Sequence, residues 1–241
     1  MKREKPDYGL DAPGLVRAFA IGGPLLIVAG SFLIPFAPVG LGHALFFTGI
    51  VLFIEALLMM GSSYYGKFRA RDRLLNRLDL RGDEAILDVG CGHGLLLIAA
   101  AKQLPQGRAV GIDLWSQVDQ GSNSKEATLT NARIEGVAQR VEVHGGDMRK
   151  MPFPDSTFDV AVANLAIHNV PTREGRREAI AEIVRVLKPG GRVALMDLKK
   201  TGQYARDLKD FGIAEARVSA PIFWIFPPVR IVTARKPRRL I

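Results

Sequence analysis

Cysteine is almost missing from this sequence: Cys91 is the only one in 241 residues, and the chain has four histidines. A disulfide scaffold needs pairs of cysteines, and a structural zinc site needs several cysteines or histidines at regular spacing. Both classes are therefore excluded, and a reducing compartment is compatible with the composition. The sequence also lacks internal repeats and low-complexity tracts, which excludes collagen-like, repetitive and wholly disordered chains.

Charge is missing from one part of the chain. No lysine or arginine occurs from Ala18 to Ser62, and Glu55 is the only acid there, although the whole chain has a formal net charge of +9. This stretch holds two apolar runs, Ala18–Ala37 and Leu41–Met60, each about the 20 residues with which a helix crosses a bilayer. Because only Pro38-Val39-Gly40 separates the runs, they predict a transmembrane helical hairpin over residues 18–62.

Basic residues flank the predicted hairpin on both sides. They are Lys2, Arg3, Lys5 and Arg17 before it, and Lys67, Arg69, Arg71 and Arg73 after it. The positive-inside rule then predicts that residues 1–17 and the whole C-terminal part lie in the cytoplasm, on the inner face of the plasma membrane. Three alternatives stay open: a re-entrant hairpin, a cleaved signal peptide, and a buried hairpin in a soluble protein.

Glu55 is the one acid inside the apolar stretch. A carboxylate at this depth is costly and by default suggests a function. The alternative is a protonated or snorkelling side chain near the cytoplasmic end, or a contact in a homo-oligomer formed through the hairpin.

Residues 63–80 change character sharply. Leu74, Leu75 and Leu78 recur at helical spacing among arginines, which predicts an amphipathic linker helix. Its basic residues would face either anionic lipid head groups or water.

Strand-like and helical segments alternate over residues 81–241, the predicted catalytic domain. The predicted strands are 85–90, 108–113, 140–144, 158–165, 192–198, 216–226 and 229–235, and the predicted helices are 95–104, 124–136, 173–187 and 204–211. Such alternation predicts an α/β fold in which helices cover both faces of a mostly parallel sheet. Ligands bind at the carboxyl ends of the strands in this architecture.

A glycine-rich turn follows the first of these strands, in the segment Leu87–Gly94. Its pattern is G-x-G-x-G, and Leu95 stands where the dinucleotide fingerprint G-x-G-x-x-G has its last glycine. Asp113 ends the next strand, 23 residues after Gly90, where its carboxylate can accept hydrogen bonds from the hydroxyls of a ribose.

This turn, with Asp88 before it, resembles the first motif of class I S-adenosylmethionine-dependent methyltransferases. Three later segments resemble further motifs of that family in the expected order: Gly146-Asp147-Met148, Met151–Asp159 and Leu187–Gly191. The resemblance covers roughly Leu80–Lys236. It implies a Rossmann-like, doubly wound sheet of seven strands, S-adenosyl-L-methionine as cofactor, methyl transfer by in-line displacement, and no metal.

The resemblance also implies roles for individual residues. The methionine part of the cofactor would lie against Asp88, Gly90, Cys91, Gly92 and Gly94, the ribose against Asp113, the adenine against Leu114, Asp147 and Met148, and the sulfonium against Asn164. His168 lies just beyond the fourth strand, and methyltransferases of quinone biosynthesis look similar in this loop. His168 is therefore predicted to be the catalytic base, with Asn164 beside the reacting centre; the alternative is a histidine that only positions the loop or the cofactor.

The predicted acceptor is a small lipophilic molecule or lipid, because a membrane anchor raises the local concentration of membrane-dissolved substrates. No nucleic acid is expected as a partner, since the Asn-Pro-Pro-Tyr-like box of amino methyltransferases is missing after Asn164. Three rival hypotheses remain: a methyltransferase of a soluble small molecule, a non-catalytic cofactor-binding membrane scaffold, and a nicotinamide oxidoreductase.

Two further segments have two interpretations each. The polar stretch Trp115–Asn123 either shapes the pocket or is a surface loop. The aromatic segment Ile222–Pro228 precedes a basic tail, Arg230–Ile241, with five bases and no acid. Aromatic residues beside arginines are typical of a membrane interface, and the alternative is a pair of buried terminal strands.

Overall fold

The computed structural model describes residues 4–36, 40–116 and 123–238. The predicted turn at Pro38 and Val39 and most of the polar stretch 115–123 therefore lie outside the described residues. The helices are α1 (Pro13–Leu33), α2 (Leu41–Gly61), α3 (Lys67–Leu75), α4 (Leu95–Lys102), α5 (Lys125–Ile134), α6 (Arg173–Val186) and α7 (Thr201–Asp210). The strands are β1 (Ala85–Val89), β2 (Arg108–Asp113), β3 (Val141–Gly145), β4 (Phe158–Asn164), β5 (Leu187–Asp197), β6 (Arg217–Val218) and β7 (Arg230–Arg235).

The first two helices pack against each other as a hairpin. Each has 21 residues, which at 1.5 Å per residue is about 31 Å, and both are long and apolar enough to cross a bilayer. Helix α1 begins at Pro13, five residues before the predicted apolar run, because proline is well suited to the first helical position.

Glycines form the contact between the two hairpin helices. A Cβ atom added to Gly30 would lie 2.5 Å from the backbone nitrogen of Phe46, and one added to Gly49 would lie 2.5 Å from the carbonyl oxygen of Gly23. Such distances leave no room for a side chain. The sequence therefore brings the two backbones into direct contact, as small residues do in packed membrane helices.

Helix α2 continues into the linker without a break. A π-helical turn at Ser62–Gly66 joins it to α3, which carries the buried residues Leu74 and Leu75. The predicted linker helix over 63–80 is thus confirmed in its first part but ends at Leu75. A π-helical turn shifts the direction of the side chains that follow, and such turns are frequent at functional sites.

The C-terminal part is a sheet of seven strands in the order β3-β2-β1-β4-β5-β7-β6. Strands β1 to β5 are parallel, whereas β7 is antiparallel to β5 and to β6. The predicted α/β, mostly parallel, doubly wound architecture is confirmed. The order reverses at β1, since the chain moves from β1 to one side and later returns to β4 on the other.

Two apolar clusters lie on opposite faces of this sheet. One packs α3, α4 and α5 against it, with Leu97 and Leu104 fully buried. The other packs α6 and α7, with Ile180 and Ile183 fully buried. Helices on both faces leave the carboxyl ends of the strands as the open edge.

Two predicted strands have clearly different bounds in the structure. Strand β5 begins at Leu187 rather than at residue 192, so that the Leu187–Gly191 segment belongs to the strand. The predicted strand 216–226 is reduced to Arg217–Val218 and a single bridge between Ile222 and Val229. Pro221, Pro227 and Pro228 offer no backbone N–H to a neighbouring strand, which explains the loss.

Candidate functional site

A pocket of about 260 Å³ lies at the carboxyl ends of β1, β2 and β4, where the strand order reverses. Its wall includes residues from two of the four predicted motifs, the glycine-rich turn and Gly146-Asp147-Met148, and none from Met151–Asp159 or Leu187–Gly191. The wall residues that belong to the predicted site or lie next to it in sequence are Asp88, Gly90, Cys91, Gly92, His93, Asp113, Leu114, Met148, Asn164, Leu165, Ala166 and His168. A crevice at this point of an open parallel sheet is the usual position of a ligand. The structure thus brings together predicted site residues that span 80 positions of sequence, from Asp88 to His168.

The glycine-rich turn forms the floor of the pocket. Gly90 has φ +75°, and a Cβ atom there would lie 2.3 Å from the Cβ of Ala166, so that glycine is required on both counts. Helix α5 supports the turn from behind: the Thr128 hydroxyl donates to the carbonyl of Gly92 (2.6 Å), and the Asn131 side chain donates to the carbonyl of His93 (3.0 Å). These two hydrogen bonds from α5 fix the backbone of the turn at the pocket floor.

Asp113 ends β2 beside this turn. One carboxylate oxygen accepts from the backbone N–H of Gly92 (2.8 Å), and the other accepts from the N–H of Trp115 (2.7 Å) and the side chain of Asn123 (3.3 Å). These bonds fix the direction of the carboxylate at the pocket edge. Since a carboxylate has about four acceptor positions, the three bonds from described residues leave one for a ligand hydroxyl. Leu114, next in sequence, is 61% exposed beside it, a surface suited to a flat apolar ring.

Asp88 is the most unusual acid of the site. It is buried on β1, and neither carboxylate oxygen has a hydrogen-bond partner among the described residues. Burial, reinforced by the nearby charge of Asp113, raises the pKa of Asp88 to about 8; the backbone N–H of Leu97 opposes this rise. A buried, unpaired carboxyl group is costly, and its position in a pocket suggests that it meets a ligand.

Two other residues complete this part of the wall. The side-chain oxygen of Asn164, at the end of β4, is buried and has no hydrogen-bond partner among the described residues. Burial raises the pKa of the Cys91 thiol well above its ordinary value, with the charges of Asp88 and Asp113 adding to the effect. Cys91 is therefore a neutral, small wall residue and not a nucleophile.

His168 lies on the opposite wall, in the turn after β4. Its Nδ1 atom is 2.7 Å from Oδ1 of Asp197, close enough for an ion pair although its angle is not that of a hydrogen bond. Asp197, at the end of β5, also accepts from the backbone N–H of His168 (3.1 Å) and from the hydroxyl of Tyr204 (3.0 Å). The imidazole is thereby oriented by a buried carboxylate. Sequence reasoning missed Asp197, because nothing near it in sequence marks it.

Asp147 does not reach the pocket wall. Its carboxylate forms a bidentate pair with Arg149 at 2.6–3.0 Å, and this pairing lowers the pKa of Asp147. The neighbours Gly146 and Met148 line the pocket instead. The predicted contact of Asp147 with an adenine is therefore not supported by its position, whereas that of Met148 is.

Residues from before and after the hairpin also line this pocket. They are Tyr8, Asp11, Ala12 and Lys67. The Lys67 side chain is buried, and its ammonium donates to the backbone carbonyl of Tyr8 (3.0 Å). Burial lowers the pKa of Lys67, and the carboxylate of Asp11 opposes this effect. Sequence analysis assigned Lys67 to membrane topology alone.

The residues present fit S-adenosylmethionine. The buried carboxyl of Asp88 and the free amide oxygen of Asn164 suit a ligand with positively charged and hydrogen-donating groups. The remaining acceptor position of Asp113 suits a ribose, and Leu114 and Met148 offer apolar surface for an adenine. Among the described residues, no group of three or more His, Cys, Asp or Glu side chains is arranged to hold a metal ion.

Comparison with known proteins supports this interpretation. Residues 87–195 match the family model described as a methyltransferase domain. The sterol 4-C-methyltransferase strm-1 of Caenorhabditis elegans is 33% identical over 137 residues, which cover 57% of this chain and 38% of that protein. The demethylmenaquinone methyltransferase of Lactobacillus johnsonii is 31% identical over 130 residues, covering 53% of this chain and 49% of that protein. The chain thus spans half or less of the length of these relatives.

The fold agrees with a solved structure as well. A SAM-dependent methyltransferase from Aquifex aeolicus superimposes with a TM-score of 0.51 at 23% identity, covering 68% of this chain and 88% of that one. The matched methyltransferase-domain model is consistent with the fit of S-adenosylmethionine to the pocket residues. Residues 87–195 therefore match a methyltransferase domain, and the chain has an α/β fold like that of the Aquifex aeolicus structure.

Proposed function

We propose that this protein is a membrane-anchored, S-adenosylmethionine-dependent methyltransferase whose acceptor is a small lipophilic molecule or lipid. The observation that carries the catalytic part is the unpaired, buried carboxyl of Asp88 beside the glycine-rich turn. A cationic ligand would stabilise its charged form, which the backbone N–H of Leu97 does only in part.

Different residues of the pocket wall bind different parts of the cofactor. When bound, S-adenosylmethionine supplies a methyl group on a positively charged sulfonium. Asp113 holds the ribose, Asp88 and the glycine-rich turn hold the methionine part, and Asn164 offers its amide oxygen to the reacting end. Holding the reactants in line and excluding water provide most of the catalysis in such a reaction.

We assign His168 the role of the base that accepts the proton lost by the methyl acceptor. An acceptor hydroxyl, amine or acidic carbon loses a proton as it is methylated, and an imidazole accepts a proton readily near neutral pH. The carboxylate of Asp197 beside Nδ1 orients the ring so that Nε2 is the atom that receives this proton.

Membrane anchoring is supported by the outer surface of the hairpin. Phe32 is 70% exposed, Val28 68% and Leu25 64%, and further large apolar side chains of α1 and α2 are exposed around them. A continuous apolar surface of this size on a water-soluble protein would favour aggregation, whereas hydrocarbon covers it without cost. The flanking basic residues then orient both termini toward the cytoplasm.

Exposed aromatic residues surround the base of the hairpin. Tyr64 and Tyr65 lie in the π-helical turn, and Phe223 and Trp224 lie in the aromatic segment. This segment packs on the hairpin base, because the backbone N–H of Phe226 donates to the Ser62 hydroxyl (3.1 Å). Aromatic side chains at one level beside a membrane helix are typical of the bilayer interface. This arrangement favours the interface interpretation of the segment over buried terminal strands.

The lipophilic acceptor is supported by the anchor and by the named relatives. One relative is named for a sterol and another for demethylmenaquinone, and both are lipophilic compounds. A methyltransferase of a soluble molecule would not need the hairpin for turnover. A non-catalytic scaffold would bind the cofactor without consuming it.

The experiment uses the full chain in phosphatidylcholine nanodiscs with methyl-labelled S-adenosylmethionine and total membrane lipid extract. Label is expected in the lipid phase and is expected to disappear in Asp113→Ala. Label confined to the aqueous phase would favour a soluble acceptor, and binding without any transfer would favour a scaffold. Reporter fusions at both termini are expected to be cytoplasmic, and an extracytoplasmic signal would refute the topology.

A further inference from the structure

The segment before the first hairpin helix forms one wall of the pocket. We call residues Asp7–Ala12 the strap. Tyr8, Asp11 and Ala12 of the strap line the same cavity as the glycine-rich turn and His168, and helix α1 begins at the next residue, Pro13. One wall of the pocket is therefore continuous with the hairpin, and no flexible linker separates the two.

The strap is fixed to the methyltransferase domain by polar contacts. Asn131 on α5 donates to the backbone carbonyl of Asp7 (2.7 Å) and accepts from its N–H (2.9 Å). The Tyr8 hydroxyl donates to Glu135 (3.0 Å), and Nδ1 of His93 lies 3.1 Å from the carbonyl of Asp7. The strap is thus bound to the same helix that supports the glycine-rich turn.

The strap is also fixed to the base of the hairpin. The ammonium of Lys67 donates to the carbonyls of Tyr8 and Gly9 and lies 3.7 Å from Oδ1 of Asp11. The Ser63 hydroxyl donates to Oδ2 of Asp11 and accepts from its backbone N–H, both at 3.1 Å. Both partners come from the end of the hairpin, so the bilayer, the strap and the pocket wall have one fixed geometry.

The charges of this wall select the kind of acceptor. Three carboxyl groups line the pocket, on Asp11, Asp88 and Asp113, and Lys67 is the one lysine or arginine among its described lining residues. The Lys67 ammonium donates to the strap carbonyls and is paired with the Asp11 carboxylate, so it is not free to pair with a ligand. An anionic head group would meet the carboxylates of Asp11 and Asp113 without a free cation, which is unfavourable. A neutral or basic head group that donates a hydrogen bond has the Asp11 carboxylate, 31% exposed, as an acceptor.

We infer that Tyr8, Asp11 and Ala12 of the strap form the acceptor-binding wall, and that the acceptor is a membrane-dissolved lipophile with a neutral or basic, hydrogen-donating head such as a phenol, an alcohol or an amine. This inference rests on the proposed function and deepens it, because it excludes anionic lipids and makes the N-terminal segment part of the site. Apolar wall residues Ala12, Leu165 and Leu198 accommodate the body of such a molecule.

The test uses two photoreactive probes with the full chain in phosphatidylcholine nanodiscs and S-adenosylhomocysteine present. One is a diazirine-bearing dodecylphenol, and the other is dodecyl phosphate with the same photoreactive group. Mass spectrometry then locates the label. The phenol is expected to label peptides that contain the strap, with or without label on residues 165–169. The phosphate is expected to label the strap roughly tenfold less, the effect of one hydrogen bond to a charged group.

Two variants of the strap form a matched pair. Asp11→Asn removes the negative charge that the strap contributes to the pocket wall, and it is expected to lower phenol labelling roughly tenfold. Asp7→Asn makes the same change on a side chain outside the described lining and is expected to leave labelling unchanged within twofold. Equal effects of the two variants, equal labelling by both probes, or label absent from the strap would refute the inference.

The affinity for S-adenosylhomocysteine separates this inference from the proposed function. If the wild-type protein does not bind that molecule by calorimetry, the proposed function fails. If the wild-type protein binds it but does not discriminate between the probes, only the inference about the strap fails. The comparison of the two probes uses wild-type protein, so the result does not depend on whether either variant folds.

Discussion

Asp88 is expected to reduce the stability of the ligand-free protein as the pH rises. Burial, with the charge of Asp113, raises its pKa to about 8 from an ordinary value of 3.8. The folded state therefore holds this proton more tightly than the unfolded state does. Below pH 3.8 Asp88 is protonated in both the folded and the unfolded state, and it does not reduce stability. As the pH rises toward 8, the unfolded state has lost this proton while the folded state still holds it, so the free energy of unfolding falls progressively.

The size of the effect follows from linkage. Between the two pKa values each pH unit changes the free energy of unfolding by about 1.4 kcal/mol, so the interval from pH 5 to pH 8 corresponds to a loss on the order of 4 kcal/mol. In a protein of this length, that loss lowers the melting temperature by roughly 8–16 °C. Asp88→Asn removes the titrating group, and the variant should become increasingly more stable than wild type across this interval.

Unfolding of the full chain in nanodiscs at pH 5, 6.5 and 8, without ligand, measures this difference. The replacement amide is itself buried, so the pH dependence of the difference is the informative quantity and not its value at one pH. Glu215→Gln, at an exposed position, is the matched control and should show no such trend. A stability difference between Asp88→Asn and wild type that does not change with pH would refute the reasoning.

Three other substitutions test the site and the hairpin. Asp113→Ala should weaken S-adenosylhomocysteine binding by roughly 10- to 100-fold, because one hydrogen bond to a charged group is lost; unchanged calorimetric affinity with an unchanged circular dichroism spectrum would refute the ribose assignment. His168→Ala should lower kcat by about 100-fold or more while S-adenosylhomocysteine affinity stays within twofold, and wild-type turnover would exclude His168 as the base. Gly30→Leu should destabilise the hairpin by about 1–3 kcal/mol in thermal unfolding, whereas Gly22→Leu, which has open space, should not; equal effects would contradict the packing described here.

The sheet and most of the site could be predicted because their signals are local. A strand, a glycine-rich turn and a helix follow one another within twenty residues, and Asp113 ends the next strand at a fixed distance from Gly90. Parallel strands then bring these ends to one edge. The predicted strand 216–226 was wrong because its apolar pattern outweighed Pro221, which offers no N–H for pairing.

The strap and Asp197 could not be predicted in the same way. The contact between Asp7 and Asn131 joins positions 124 residues apart, and no spacing rule connects them. Lys67 follows an apolar helix, where a lysine ordinarily indicates topology. The motif assigned Asp147 to the adenine, but Arg149, two residues on, pairs with that carboxylate on the surface.

The glycine contact between α1 and α2 limits the routes that a substrate can take. With the backbones of Gly30 and Phe46 in direct contact, even one added carbon atom has no space between the two helices. The interior of the hairpin therefore offers no channel. Under the proposed function, a hydrophobic molecule that leaves the bilayer for the pocket would travel along the outer flank of these helices, and the residues on that flank would be the first protein surface that it meets.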